Sequence, residues 1–511
     1  MRIKRLNHEE RRFFKTVYHA AFSNPFSTLR QRLDLKIAGL FPSASRRKST
    51  DKCIQEIDLR IRQLEKEGAA NLYSFSGRDQ AIMKIVFLFD SFHKFRDDFD
   101  KLILDQIKAE DSPVDVTFGN ETISLLLKRG FSETEAVHYF ELSYQMRRAF
   151  HFISNSLVGT TPCMIKFKNH LWNNVFTDDI NFYENYLWDK MEDFSTLLLG
   201  ETGTGKGTAA MAIGKSGFIP YNTRTLRFEE SFMHAFNSLN LSQFPETLLE
   251  SELFGHTKGA FTGAVDNYQG VFDRCSPHGS IFLDEIGEIP NHVQIKLLQV
   301  LQERIFTPVG SHQKSRFQGR VIAATNKSVK DIIGGKVFRD DFYYRLCSDI
   351  IEVPPLRERI QEDPSELDRL LKFTIERMTG NKPGYLLERV KRVINKHLGD
   401  DYKWPGNVRE LEQCARSVLL RRSYQGEALN SEKPASIKEE LIHGIEHKDI
   451  TIPSLISGYC TMLYDHYGTY EKAAKITGVD RRTIKKYIDQ QHSNENEELK
   501  NKSTHARSRK Q

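Results

Sequence analysis

Two short stretches of this chain hold residues whose types and spacing suit phosphate chemistry. The first is Gly200-Glu201-Thr202-Gly203-Thr204-Gly205-Lys206, directly after the apolar run Ser195–Leu199 and followed by Gly207 and Thr208. The second is Ser280-Ile-Phe-Leu-Asp284-Glu285, an apolar run that ends in two carboxylates. A strand feeding a glycine-rich turn that opens a helix presents backbone N–H groups and the positive end of the helix dipole to phosphate oxygens. Lys206 adds a point charge for the outer phosphates. A second strand ending in Asp-Glu offers Asp284 to hold Mg2+ and Glu285 to orient and activate a hydrolytic water. Together the two stretches predict a P-loop site for ATP and Mg2+.

Further groups surround this pair. Asn326 closes Arg320-Val-Ile-Ala-Ala-Thr-Asn326, a third β-rich run, where a polar side chain can sense the γ-phosphate or fix the water. Arg339 and Arg345 stand six apart among aromatics. They are either surface cations or arginines supplied across a subunit boundary to the transferred phosphoryl group, and spacing leaves both open. Gly259-Ala260-Phe261-Thr262-Gly263-Ala264 contains no acid, base or metal ligand. It is either a plain hairpin turn or a tip presenting an aromatic anchor to a partner.

The elements that must position these residues follow from the pattern. After Gly200, short apolar runs alternate with helical patterns, which predicts a parallel α/β sheet over residues 156–352. Thr223–Phe244 is out of proportion there and reads as an insertion packed on the surface. Residues 353–422 read as a helical subdomain interrupted at Trp404-Pro405-Gly406-Asn407, where Pro405-Gly406 forces a turn and Asn407 is placed to cap the helix carrying Arg409. Residues 1–155 read as mostly helical. Phe87, Phe92, Phe95, Phe99, Leu102 and Ile103 recur at helical spacing between Ile82 and Ile107, a stripe that reads as core. Ser132 and Glu135 form a capping box opening another helix. No catalytic constellation and no receiver-domain pattern occurs in this region. Residues 423–450 read as a linker, and the polar residues 491–511 as a disordered tail. Between them, 451–490 holds two helical patterns around a Gly478 turn, a helix-turn-helix arrangement with Arg481, Arg482, Thr483, Lys485 and Lys486 on the second helix, in reach of bases and phosphates.

Composition narrows the classes. The 511 residues are 39% hydrophobic and 28% charged, which predicts several globular domains. No apolar run approaches the ~20 residues that span a bilayer. The charged N-terminus lacks a secretory pattern, and six scattered cysteines without a C-x-x-C pair argue against a disulfide framework or a zinc site. The reading is a cytoplasmic protein without membrane contact. A net charge of +6 is mild for this length, so nucleic-acid binding rests on the local basic helix.

Residues from about 156 to 415 resemble the AAA+ domain of sigma-54-dependent transcription activators, the bacterial enhancer-binding proteins. The resemblance runs through the P-loop at 200–206, Leu-Leu-Glu-Ser-Glu-Leu-Phe-Gly-His at 248–256 and Lys-Gly-Ala-Phe-Thr-Gly-Ala at 258–264. It continues through Phe-Leu-Asp-Glu-Ile-Gly-Glu at 282–288, Ala-Ala-Thr-Asn at 323–326, Phe-Arg-Asp-Asp-Phe-Tyr-Tyr-Arg-Leu at 338–346 and Trp-Pro-Gly-Asn-Val-Arg-Glu-Leu at 404–411. The C-terminal unit resembles the Fis-type domain that ends many such activators.

The resemblance implies an α/β ATPase core with a small helical lid, acting on sigma-54 RNA polymerase from an upstream site on double-stranded DNA. It implies that Lys206, Asp284 and Glu285 are the Walker residues, Asn326 the first sensor and Arg409 the second. Arg339 and Arg345 become arginine fingers acting in a neighbouring subunit, which requires a ring, usually hexameric. Asn222 matches the asparagine that couples the Walker glutamate to the 259–264 loop, and Phe261 and Thr262 contact sigma-54. The alternative is a nucleotide-controlled DNA-binding regulator without polymerase remodelling. Gly207 departs from the glutamate usual in the family, and residues 1–155 match no input domain.

Overall fold

The computed structural model describes residues 3–333, 337–399, 401–424 and 450–489, with five further positions between 437 and 445. The expected linker and the expected tail at 491–511 fall almost wholly outside the described residues. The chain divides into two units, Met1–Tyr424 and Gln425–Gln511.

Among its described residues the first unit has nine strands: β1 (Thr196–Leu199), β2 (Tyr221–Asn222), β3 (Arg227–Phe228), β4 (Phe236–Asn240), β5 (Ser280–Asp284), β6 (Ile305–Phe306), β7 (Ser315–Arg316), β8 (Arg320–Thr325) and β9 (Asp349–Glu352). Five of them form one parallel sheet in the order β4-β5-β8-β1-β9. Both faces are covered, so the central strands are continuous apolar runs, as parallel sheets require. Side chains alternate between the faces. Leu197, Leu199, Ile281, Leu283, Val321 and Ala323 pack with Leu249, Leu253, Val293, Leu297 and Phe342 from the helices on one side. Leu198, Phe282, Ile322, Ala324 and Ile351 face the other side, toward the P-loop helix Lys206–Gly214 and the N-terminal region.

That N-terminal region is helical, as expected, and shares its core with the sheet. Phe14, Phe99, Phe140 and Phe176 belong to one buried cluster with Leu198, Ala212 and Phe282. Each such Phe contributes roughly 1.5–3 kcal/mol by burial. The Ser132–Glu135 capping box forms and opens the helix Glu133–Ser156. The Phe stripe between Ile82 and Ile107 is carried by two helices, Gly77–Lys94 and Arg96–Ala109, broken at Phe95.

Residues 223–244 are not a surface insertion. β3 pairs antiparallel with β2, Phe228 and Phe232 are buried in the shared core, and β4 is an edge strand of the main sheet in register with β5. The stretch lacks the look of a strand because only Leu239 of β4 is buried, an edge position that needs no continuous apolar run.

Four helices, Leu356–Glu362, Ser365–Thr379, Gly384–His397 and Asn407–Arg421, make the lid around Leu371, Ile375, Val390, Leu411 and Val418. Arg359 and Glu366 form a buried ion pair within it, and the Arg359 Nη2 also donates to Val158 O at 2.6 Å. In the second unit, helices Ile452–Tyr467, Tyr470–Thr477 and 481–489 pack around Cys460, Leu463, Ala473, Ile484 and Ile488. Gly468 and Gly478 end the first two helices in left-handed conformations that suit glycine.

Candidate nucleotide site, partner loop and basic helix

The strand order sets β5, β8 and β1 side by side, so their C-terminal ends bring three predicted groups to one edge: Asp284-Glu285, Asn326 and the P-loop. Ligands of open parallel sheets sit at that edge. A cavity of about 330 Å3 lies there, lined by the P-loop from Thr202 to Thr208, by Asp284 and Glu285, and by Arg409 of the lid. Gly203 (φ +80°) and Gly205 (φ +105°) take left-handed conformations that let the chain wrap before the helix opens at Lys206. Lys206 Nζ donates to Gly200 O at 2.8 Å and Glu201 O at 3.2 Å, which holds the ammonium over the turn. Burial lowers the Lys206 pKa, Asp284 and Glu285 pull it back up, and Arg409 adds to the lowering. Lys206 is therefore a desolvated cation facing two acids and a second cation, a field that an anionic phosphate chain with a divalent ion would complete.

Asp284 accepts the Glu285 N–H at 3.1 Å. Glu285 is held at φ +56°, an uncommon conformation for a residue with a side chain, and its Oε2 is shielded from solvent without a hydrogen-bond partner among the described residues. An orphaned carboxylate oxygen is costly in a folded chain. Its position beside Asp284 and Lys206 fits a group that meets a water or a hydrated cation. Asn326 Nδ2 lies 3.5 Å from Thr202 Oγ1, so the β8 end touches the P-loop directly. Gly207 lies in open space: a Cβ there would meet nothing nearer than Phe282 Cε1 at 3.8 Å.

The lid closes on the loop through hydrogen bonds that the sequence reading assigned differently. Asn407 does not cap its helix. It is the first helical residue, with Gly406 at the cap, and its Nδ2 donates to Thr202 O and Glu201 Oε2, both at 3.1 Å, while its Oδ1 accepts the Leu356 N–H at 2.8 Å. Val408 N donates to Gly203 O at 3.0 Å, and Arg357 grips Glu201 with both guanidinium nitrogens at 2.5 and 2.7 Å. Arg409 thereby reaches the cavity through a lid docked on the P-loop itself.

The structure does not bring Asn222 to this site. It sits in the β2–β3 hairpin, where its Oδ1 accepts the N–H groups of Arg224 and Thr225 at 3.0 and 3.1 Å. The asparagine beside the acids is Asn240, the last residue of β4, paired in register with Asp284. A short strand ending in Asn just before the helix Glu246–Phe254 was the available signal, hidden by the polar character of an edge strand. Arg339 and Arg345 also stand away from the cavity of their own chain. Arg339 pairs with Asp341 at 2.9 Å on the surface, and Arg345 Nε donates to Leu301 O at 2.9 Å.

The loop of residues 259–264 projects from a narrow base. His256 and Tyr268 exchange backbone hydrogen bonds at 2.9 Å, and Gly255 and Gly270 let the strands approach: a Cβ on Gly270 would lie 2.4 Å from Leu253 O. Within the loop, Gly259 N donates to Ala264 O at 2.9 Å, and Gly259 and Gly263 both have positive φ. Phe261 packs edge-on against His256 and remains 36% exposed, while Thr262 is exposed at the tip. In the second unit, Arg482, Lys485 and Lys486 are exposed on the 481–489 helix. Arg481 pairs with Glu471 at 2.8 Å, and Thr483 and Asp480 form the helix cap.

Residues 183–352 match the family described as the Sigma-54 interaction domain. That stretch is similar to the sigma-54 interaction domain. The match covers the P-loop, the projecting loop, both acids and Asn326. Similar proteins include the Nif-specific regulatory protein of Azotobacter vinelandii, 39% identical over 301 residues that make 59% of this chain and 51% of that one. The transcriptional regulatory protein GlrR of Escherichia coli K12 is 37% identical over 48% of this chain and 52% of its own, and the regulatory protein AtoC of the same strain is 34% identical over 59% and 58%. The chain thus spans about half the length of these relatives. Crystal structures of NtrX from Brucella abortus align over 73% of this chain and 79% of theirs at 19% identity, with a TM-score of 0.38. The matched residues hold the α/β core and are followed by the helical lid, as the resemblance implies. Among the described residues, no helix is long and apolar enough to cross a membrane.

Proposed function

We propose that this protein is an ATP-driven transcription activator that binds upstream DNA and uses hydrolysis to remodel the closed complex of sigma-54 RNA polymerase. The observation that carries the reading is the pairing, in one sigma-54 interaction domain, of a complete P-loop site with an intact projecting loop that exposes Phe261 and Thr262. Lys206 and the P-loop N–H groups bind the phosphates, Asp284 holds Mg2+, and Mg2+ supplies charge neutralisation at the phosphoryl group. Glu285 takes a proton from the attacking water, with Asn326 fixing its position. Arg409 contacts the phosphates from the lid. Arg339 and Arg345, remote from their own cavity, serve the site of a neighbouring subunit in a ring, hexameric by the family resemblance. Asn240 takes the coupling role that sequence reading gave to Asn222. Arg482, Lys485 and Lys486 meet DNA phosphates and base edges, and as a dimer the helices read half-sites about 34–36 Å apart.

The test is capture of sigma-54 on a native gel with ADP and a metal-fluoride phosphate mimic, wild type beside Thr262→Ala. A complex formed by the wild type alone, and only with the mimic, is the expected result. Measurable ATPase activity without any such complex would remove sigma-54 as the partner and leave the nucleotide-controlled DNA regulator.

A further inference from the structure

A cavity of about 860 Å3 lies apart from the P-loop, inside the N-terminal helical region. That is the size of sites that enclose a drug-sized molecule. Its walls include Phe89, Phe92, Met146, Phe150, Trp172 and Phe176. Five arginines line it together with five acids, but the charges are not evenly matched. Arg30 pairs with Asp34 at 2.8 Å, Arg147 grips Asp100 with two nitrogens at 2.5 and 2.6 Å, and Arg96 lies 3.1 Å from Asp97 and 3.9 Å from Asp51. Glu184 accepts the Tyr139 hydroxyl at 2.6 Å. Every acid is engaged, whereas Arg46 and Arg47 make no ion pair among the described residues. The Arg46 guanidinium lies over the Phe26 ring, and burial with the charge of Arg30 lowers its pKa against the opposing charge of Asp34. An aromatic chamber with two exposed arginines at its rim that form no ion pair among the described residues suits an apolar body bearing one anionic group.

One helix connects this chamber to the nucleotide site. On Glu133–Ser156, Leu142, Met146 and Phe150 line the cavity at successive turns. The same helix sends Arg148 to Lys215 O and Gly217 O at 2.9 and 2.7 Å, and Gln145 to Ser216 O at 3.0 Å. Those carbonyls follow directly on the P-loop helix Lys206–Gly214, which is nine residues or about 13 Å long. Tyr183 lines the cavity and accepts a hydrogen bond from Gln145 Nε2 at 2.8 Å. A side chain that lines the cavity is thus one hydrogen bond from Gln145, which donates to Ser216 O just past the P-loop helix.

We propose that this cavity is an effector site for an amphipathic organic acid, and that its occupancy is transmitted to the P-loop through Tyr183, Gln145 and Arg148. The site stands independently of sigma-54 remodelling, and its transmission needs only that the P-loop binds nucleotide.

The experiment uses the full chain and the fluorescent probe anilinonaphthalene sulfonate, without nucleotide. Saturable binding of one probe per chain is expected, displaced by dodecanoate or dodecyl phosphate but not by dodecanol; the stronger competitor tells carboxylate from phosphate. Met146→Trp, which intrudes on the chamber, weakens the probe about tenfold, and the double change Arg46→Glu with Arg47→Glu weakens it about fivefold while leaving the uncharged N-phenylnaphthylamine unaffected. Probe binding that ignores Met146→Trp would overturn the site. Equal loss of both probes in the arginine variant, or displacement by dodecanol, would overturn the anionic class. For transmission, dodecanoate shifts the affinity for methylanthraniloyl-ATP about twofold or more in the wild type, and Gln145→Leu abolishes that shift with probe binding retained. No shift in the wild type would refute the coupling. Because nucleotide affinity is read rather than hydrolysis or sigma-54 capture, failure of the activator reading leaves this test intact.

Discussion

Replacing Arg148 by Met tests the clamp between the N-terminal helices and the ATPase core. Arg148 is fully buried and makes no ion pair among the described residues; its guanidinium is held by carbonyl oxygens, and burial pushes its pKa down to about 10. Methionine keeps much of the volume and removes both donors. Lys215 O and Gly217 O then lose their partners, at about 1–3 kcal/mol each, or about 2–6 kcal/mol together. Relief of the buried charge offsets part of this, and the loss of a cation at a helix C-terminus adds to it. A net loss of about 3 kcal/mol follows, a sizeable fraction of the stability of a typical fold. Urea unfolding of the full chain, followed by near-ultraviolet circular dichroism, reads it as a drop of about 1 M in the midpoint of the transition of the first unit. Arg227→Met is the control, since Arg227 and Asp115 form an exposed surface pair. If Arg148→Met shifts the midpoint no further than this control, the clamp does not hold the P-loop helix and the argument fails.

Other expectations are narrower. Burial, with the charge of Glu229, raises the Glu141 pKa to about 7, against the opposing hydrogen bond from the Tyr221 N–H. The folded chain binds that proton more tightly than the unfolded one, so the stability it contributes is complete below the ordinary carboxyl range and is lost as pH rises through about 7. Glu141→Gln keeps the acceptor; its melting temperature should vary less than the wild type's across that window and exceed it above neutrality. Gly203→Ala places a Cβ 2.2 Å from Gly406 O and 2.9 Å from Arg409 Cβ at a positive φ, so lid docking breaks, and fluorescent-nucleotide titration should show affinity at least about tenfold weaker. Asn240→Ala should preserve nucleotide binding and disrupt the link between hydrolysis and sigma-54 capture, whereas Asn222→Ala should change neither; the reverse pattern would restore Asn222 to the coupling role.

The parts of the site that were legible in the sequence are those set by local chemistry. Gly203, Gly205 and Lys206 announce their turn because only glycine tolerates the two positive φ values, and Asp284-Glu285 stand out because a buried strand seldom ends in two acids by accident. Asn240, proposed above for the coupling role, was not singled out because an edge strand with only Leu239 buried carries no apolar run, and the nearest conspicuous strand-like text ended in Asn222 instead. Asn407 misled differently: its type and place suit a helix cap, but the docked P-loop offers it better partners in Thr202 O and Glu201. The helical character of residues 1–155 was readable from the Phe spacing, which reports that residues are buried but not against what. The sharing of one core between Phe140 and Phe282 is a tertiary fact without a local signature.

That shared core bears on how such a chain can be cut, recombined or inherited. A regulatory segment tethered by a linker can be exchanged by a single crossover, because neither side covers the other. Here, removal of residues 1–155 would strip Phe140 and Phe152 from Phe228 and Phe232 and uncover the P-loop helix where the helix Glu133–Ser156 packs on it, leaving apolar side chains open to water. Truncation at that boundary should give aggregation rather than a freed, constitutive ATPase. Substitutions in the N-terminal helices and in this α/β core would have to accumulate in concert, making the N-terminal helices an inseparable wall of the core and not an interchangeable attachment.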